Sequence, residues 1–118
     1  MSSYGKRKGA NFETGILKWL RSKGLLAERL SKAGSNDEGD IVCFVAGKPM
    51  IFELKARVKL DLPQFWREAT TEADNYAKAR GLDYAPPSYV IVKRSNAGLS
   101  QAWVIQTLDQ WVQTQSAN

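Results

Sequence analysis

Four residues in the first half of this chain have the types and spacing for hydrolytic chemistry: Glu13, Asp40, Glu53 and Lys55. Clustered carboxylates repel one another, and a hard divalent cation relieves that repulsion. Mg²⁺ is held by one or two carboxylates together with water and substrate phosphate. Such an ion lowers the pKa of a water and stabilises charge growing on a phosphate. A neighbouring lysine can orient or deprotonate that water, or neutralise a pentavalent oxyanion. Each residue also has a plain reading. Glu53 and Lys55 form a Glu-x-Lys triplet that can be a simple salt bridge. Asp40 follows Gly39 and can be a turn residue, and Glu13 can be a helix-start charge favoured by the dipole. The combination of four argues for a site more strongly than any one of them.

The elements that position them follow from the pattern. Strands are expected at about 40–46 and 49–56, with a two-residue turn at Gly47-Lys48. That turn pairs Ala46 with Pro49, Val42 with Glu53 and Asp40 with Lys55. Directly paired residues share a face, so Asp40, Glu53 and Lys55 project from one side of the sheet. Both faces of these strands are apolar, with Ile41, Cys43 and Val45 on one and Val42, Phe44 and Ile51 on the other. Strands of that kind are covered on both sides. Charges at their ends must be paired, metal-bound or in a cleft. A helix over 10–24 carries Phe12, Ile16, Trp19 and Leu20 at helical spacing, with Leu17 further round the same apolar arc. Glu13 falls inside the arc they span rather than opposite it.

The remaining elements are a short strand at 26–31, a polar loop from Lys32 to Gly39 and a helix from Pro63 to Arg80. The apolar stripe of that helix is Phe65, Ala69, Ala73, Tyr76 and Ala77. Strands at 88–93 and 102–106 and a short helix near Leu108–Val112 complete the chain. The order predicts an α/β fold, a mixed sheet of about five strands flanked by helices. Residues 1–9 read as a flexible basic arm, and 10–118 as a single domain.

The bulk numbers narrow the chemistry. The chain has 118 residues, 43% hydrophobic and 25% charged, ordinary values for one globular domain. It has no histidine. Ser-His-Asp and Cys-His sites and histidine-ligated zinc are therefore excluded. The single cysteine, Cys43, excludes an intramolecular disulfide and reads as a buried thiol suited to a reducing compartment. No apolar run approaches the roughly 20 residues of a membrane-spanning helix. The net charge of +5 favours an anionic partner, nucleic acid or a membrane surface.

With these residues in place, the chain resembles the PD-(D/E)XK nuclease superfamily, and within it the archaeal-type Holliday-junction resolvases and their phage relatives. The resemblance runs over about residues 6–57. It opens at Lys8-Gly9-Ala10-Asn11-Phe12-Glu13, similar to the family's basic-glycine-x-x-x-Glu start. It continues at Gly39-Asp40-Ile41-Val42, with Gly39 in place of the superfamily's proline, and is clearest at Ile51-Phe52-Glu53-Leu54-Lys55. It implies a restriction-endonuclease-like core. Asp40 and Glu53 become metal ligands, Lys55 the catalytic lysine and Glu13 a further metal-site carboxylate. Mg²⁺ is the implied cofactor, with Mn²⁺ substituting and no organic cofactor. Ser35 lies in the loop where such resolvases carry a functional serine; a turn serine is the plain alternative.

The resemblance further implies structure-selective cleavage of branched DNA by a homodimer. The setting is the cytoplasm of a prokaryotic or phage-infected cell, with no membrane partner. Lys6, Arg7, Lys8, Arg29 and Lys32 flank the site in sequence and are expected on phosphates, or else form a solvated basic face. Trp66, Tyr76, Trp103 and Trp111 are candidates for either core or dimer interface. Three rivals stand beside this reading. They are a nuclease of the same fold with another DNA substrate, a non-catalytic DNA-binding module, and a salt-bridged α/β domain that binds protein partners.

Overall fold

The computed structural model describes residues 3–31 and 37–116, with side chains from Arg7 to Gln115. Lys32 and Ser35, and the side chain of Lys6, lie outside the described residues. The elements run α1 (Ser3–Ser22), β1 (Leu26–Arg29), β2 (Ile41–Val45), β3 (Lys48–Lys55), α2 (Leu62–Arg80), β4 (Ser88–Val92), β5 (Trp103–Ile105) and α3 (Leu108–Ser116). A single 3₁₀ turn, Leu99–Gln101, precedes β5. The five strands form one sheet in the order β1-β2-β3-β4-β5. All neighbours are antiparallel except β3 and β4, which are parallel and joined through α2.

The helices cover opposite faces. On α1, Phe12, Ile16, Leu17 and Leu20 pack against Ala27, Ile41, Cys43, Tyr89 and Ile91. On α2, Ala73 and Tyr76 pack against Val42 and Ile51, while Phe65 and Ala69 pack against Val90 and Val92. Alternation along β2, β3 and β4 sorts these residues, as expected of strands buried on both sides. Cys43 is a buried free thiol.

Two differences from the sequence reading bear on the cleft. First, α1 begins at Ser3, so Arg7 and Lys8 lie within the helix and not on an arm ahead of it. Gly9 weakens a helix by about 1 kcal/mol relative to alanine but does not break it when good formers surround it. Second, the β2–β3 turn is Ala46-Gly47, not Gly47-Lys48. Val45 pairs with Lys48, Val42 with Ile51 and Ile41 with Phe52. Both turn residues have positive φ, 53° and 77°, the signature of a type I′ hairpin.

Pro49 explains the shift. The residue that closes a two-residue turn donates its amide back across it, and proline has no N–H to give. Lys48 closes the turn instead. The register moves by two residues, so no side chain changes face. Continued by one pair, it brings Asp40 opposite Glu53 rather than opposite Lys55.

Candidate active site

Ile51, Glu53 and Lys55 alternate onto the α2 face of β3, and Asp40 shares that face with Val42. Glu13 approaches from α1 at the end of the strands. Glu13, Asp40, Glu53 and Lys55 line one open cleft of about 440 Å³, together with Gly9 and Arg57 among others. The structure therefore brings together the four residues singled out by chemistry.

The cleft opens where β2 and β3 part. Asp40 donates its amide to Phe52 O at 3.1 Å. The next free amide of β3, Leu54, is taken by a side chain: it donates to Asp40 Oδ2 at 2.8 Å. Asp40 thus ends the ladder and is fixed by it. Gly39 makes the approach possible. Its φ is +103°, and a Cβ there would lie 2.7 Å from Ile51 Cγ2. Proline, with φ fixed near −65°, has no place in that backbone. The backbone at this position therefore suits glycine and excludes proline.

Glu53 and Lys55 are both buried. Burial first, and then the charge of Asp40, push the Glu53 carboxyl up to about 7, against the opposing pull of Lys55. Lys55 Nζ lies 3.3 Å from Glu53 Oε2 and 2.9 Å from Glu68 Oε1. Burial lowers the affinity of this ammonium for its proton. Glu68 and Glu53 outweigh that loss and hold it above its ordinary value. The two carboxylates thus favour the protonated form of Lys55, the form that donates. Glu68 in turn is held below the usual carboxylate range, mainly by its hydrogen bond to Lys55.

Behind Glu53 sits Glu72 of α2, also buried. Burial, then the charges of Glu53 and Asp37, raise its carboxyl well above the ordinary range. Asp37 is itself fixed, accepting from the Gly39 amide at 2.9 Å, while its carbonyl accepts from Asn75 at 2.8 Å. One oxygen each of Glu53 and Glu72 (Oε1 in both) is buried without a hydrogen-bond partner. Orphaned acceptors of this kind are costly unless a proton or a cation reaches them.

Glu13 lines the cleft, but its carboxylate is engaged by Arg29 Nε at 3.0 Å. Arg29 also donates to Thr14 Oγ1 at 2.7 Å. The described residues contain no ready-made group of three or more acidic or cysteine ligands around a common point. The donor set nevertheless suits Mg²⁺, which takes one or two protein carboxylates and fills its shell with water and phosphate. The orphaned Glu53 Oε1 in the Asp40–Glu53 pair is the observation that fits a cation here.

Sequence reasoning passed over Glu68 and Glu72. Glu72 lies three residues after Ala69 and four before Tyr76, so it stands in the apolar stripe of α2 just as Glu13 stands in that of α1. The same wheel argument finds it. Glu68 carries no such signal, since half-exposed helical glutamates are common.

No protein-family model and no curated protein matches the chain. Among solved structures it is similar to Hjc of Archaeoglobus fulgidus, a Holliday junction resolvase from an archaeal hyperthermophile. The TM-score is 0.53 and the sequence identity 25%, over 76% of this chain and 72% of that one. The mixed five-stranded sheet flanked by three helices is thus the fold of a Holliday junction resolvase.

Proposed function

We propose that this chain is a metal-dependent DNA endonuclease that cuts four-way junctions. The observation that carries the reading is the buried Asp40–Glu53–Lys55 group at the mouth of a cleft, on the fold of a resolvase. A divalent ion, Mg²⁺ or Mn²⁺, held by Asp40 and Glu53 with Glu13 beside them, would lower the pKa of a water and stabilise negative charge on the scissile phosphate. The chain's own residues do the rest. Asp40, clamped by the Leu54 amide, and Glu53, packed under α2, present carboxylate oxygens without reorganising. Lys55 keeps its proton and donates to a phosphate oxygen as charge grows there, the role of a preorganised electrostatic stabiliser. Glu68 holds that ammonium in position.

Two opposed strands of a junction require two matched sites, which a symmetric dimer supplies. The exposed aromatics support a dimer surface at the β5 end of the sheet. Trp103 is 53% exposed, Trp111 50% and Leu108 77%, and β5 is the edge strand. Tyr76, in contrast, is core, and Trp66 is partly buried against the cluster of Phe65, Ala69, Val90 and Val92. Arg7, Lys8 and Arg29 supply phosphate contacts beside the cleft, and Lys6, Lys32 and Ser35 are assigned with them from the sequence. Cleavage assays on duplex, flap and four-way junction, each with and without Mg²⁺, test the reading. Cutting of the junction alone supports it, and equal cutting of all three favours a same-fold nuclease of broader substrate range.

A further inference from the structure

Next to the acidic cleft lies a second depression of about 240 Å³, lined by Lys8, Arg57, Lys93, Ser95 and Asn96 among others. It shares Ala56 and Arg57 with the first. Three separate parts of the fold build it. Lys8 comes from the early turns of α1 and Arg57 from the residues just after β3. Lys93 follows β4, and its amide donates to Lys55 O at 3.0 Å, which ties the two strand ends side by side. Lys93 and Arg57 are exposed, and Lys8 is half-exposed. Among the described residues none of the three is ion-paired. Arg57 rests about 6.0 Å from the centre of the Phe65 ring and feels the charge of Glu68 without bonding to it. The neighbouring Arg94 is turned away, over the Trp103 ring. Asn96 stands in a turn with φ of 57°.

Three unpaired cations and two neutral polar side chains around one hollow form a site for an anion. The first cleft, by contrast, is acidic and buried at its base. A polyanion laid across both meets cation-assisted chemistry at one point and fixed ammonium and guanidinium groups at the next. We propose that the hollow of Lys8, Arg57 and Lys93 binds a phosphodiester of the cut DNA strand, next to the phosphate that enters the carboxylate cleft. It sets where along the strand the cut falls. This inference rests on the nuclease reading for the identity of its ligand.

Lys93 is the informative position, because it lines this hollow and not the acidic cleft. The experiment measures binding of a synthetic four-way junction without divalent metal, as a function of salt, for wild type, Lys93→Gln and Lys93→Gln/Arg57→Gln. Each lost phosphate contact makes the slope of log K against log salt shallower by roughly 0.9. A scan of single methylphosphonate substitutions through the junction arm gives the second readout. One position close to the cut is expected to weaken wild-type binding and to have no further effect on Lys93→Gln. An unchanged slope in Lys93→Gln, or a methylphosphonate profile identical to wild type, overturns the inference and leaves the nuclease reading standing. Loss of slope in a chain that never cuts DNA keeps the phosphate site of Lys93 and Arg57 but removes its role in placing a cut, together with the nuclease reading. Failure of the wild type to bind DNA at all removes both.

Discussion

The Leu54 amide donates to Asp40 Oδ2 at 2.8 Å, so the strand carrying Glu53 and Lys55 also holds the aspartate that faces Glu53. Carboxylate position and strand geometry are therefore one feature, and charge can be separated from structure by the choice of substitution. Asp40→Asn keeps an acceptor for Leu54, whereas Asp40→Ala leaves that part-buried amide without a partner. Asn is expected to fold with a midpoint near that of wild type and to lose cleavage. Ala is expected to lose about 1–3 kcal/mol of stability as well. Urea denaturation beside a cleavage assay checks both.

Lys55 is a charged donor clamped by two carboxylates. Lys55→Met removes the positive charge facing the phosphate and is expected to slow cleavage by about 10²-fold or more, the scale of losing a preorganised electrostatic partner. Junction binding without metal should change little. Single-turnover rates and a gel-shift titration separate the two effects. A variant that cuts at the wild-type rate removes Lys55 from the mechanism.

The raised Glu53 carboxyl makes metal binding and stability depend on pH. A carboxyl whose folded pKa lies above its unfolded value contributes stability at low pH that is lost as pH rises. For Glu53 the window runs from its ordinary value of 4.5 to about 7. The metal-free protein should therefore melt at lower temperature at pH 8 than at pH 5.5. Mg²⁺, which binds the ionised form, should restore more stability at pH 8. Glu53→Gln should flatten both trends. Melting curves indifferent to Mg²⁺ at either pH would speak against a cation at Asp40 and Glu53.

Glu72 is buried behind Glu53 with an orphaned oxygen. Glu72→Gln removes a carboxyl whose ionisation the fold resists, and its amide can donate to Glu53. The variant is expected to be more stable than wild type at pH 8 and to differ less at pH 5. The sign follows from the same linkage, since stability held by a raised carboxyl is lost on the alkaline side. Thermal melts at the two pH values measure it.

Gly39 cannot carry a side chain without moving Ile51. Gly39→Ala combines a positive φ with a close contact and is expected to cost about 1–3 kcal/mol. Because Gly39 precedes Asp40, cleavage should fall more steeply than stability. A neutral Gly39→Ala would show that the strand fork tolerates a shift.

Element order is legible in this sequence because the apolar periods are clean. Phe12, Ile16 and Leu20 mark one helix, Phe65, Ala69, Ala73 and Tyr76 the other, and the apolar runs between them can only be covered strands. The shared face of Asp40, Glu53 and Lys55 is equally legible, because any even shift of register preserves it. The exact register was written in Pro49, whose missing amide forbids the turn at Gly47-Lys48. The start of α1 was hidden by Gly5 and Gly9, which read as loop in a basic stretch and are tolerated within the helix. Contacts made across the fold were least visible. Glu68 reaches Lys55 from α2, and Arg29 reaches Glu13 from β1, through packing that no local spacing encodes.

The most direct measurement is incubation of the protein with a labelled four-way junction, with and without Mg²⁺, beside Glu53→Ala. Paired incisions near the branch point in Mg²⁺ alone, absent from Glu53→Ala although that variant still binds the junction, are the result this account predicts. Cleavage that persists without divalent metal, or that Glu53→Ala performs as well as wild type, would contradict it.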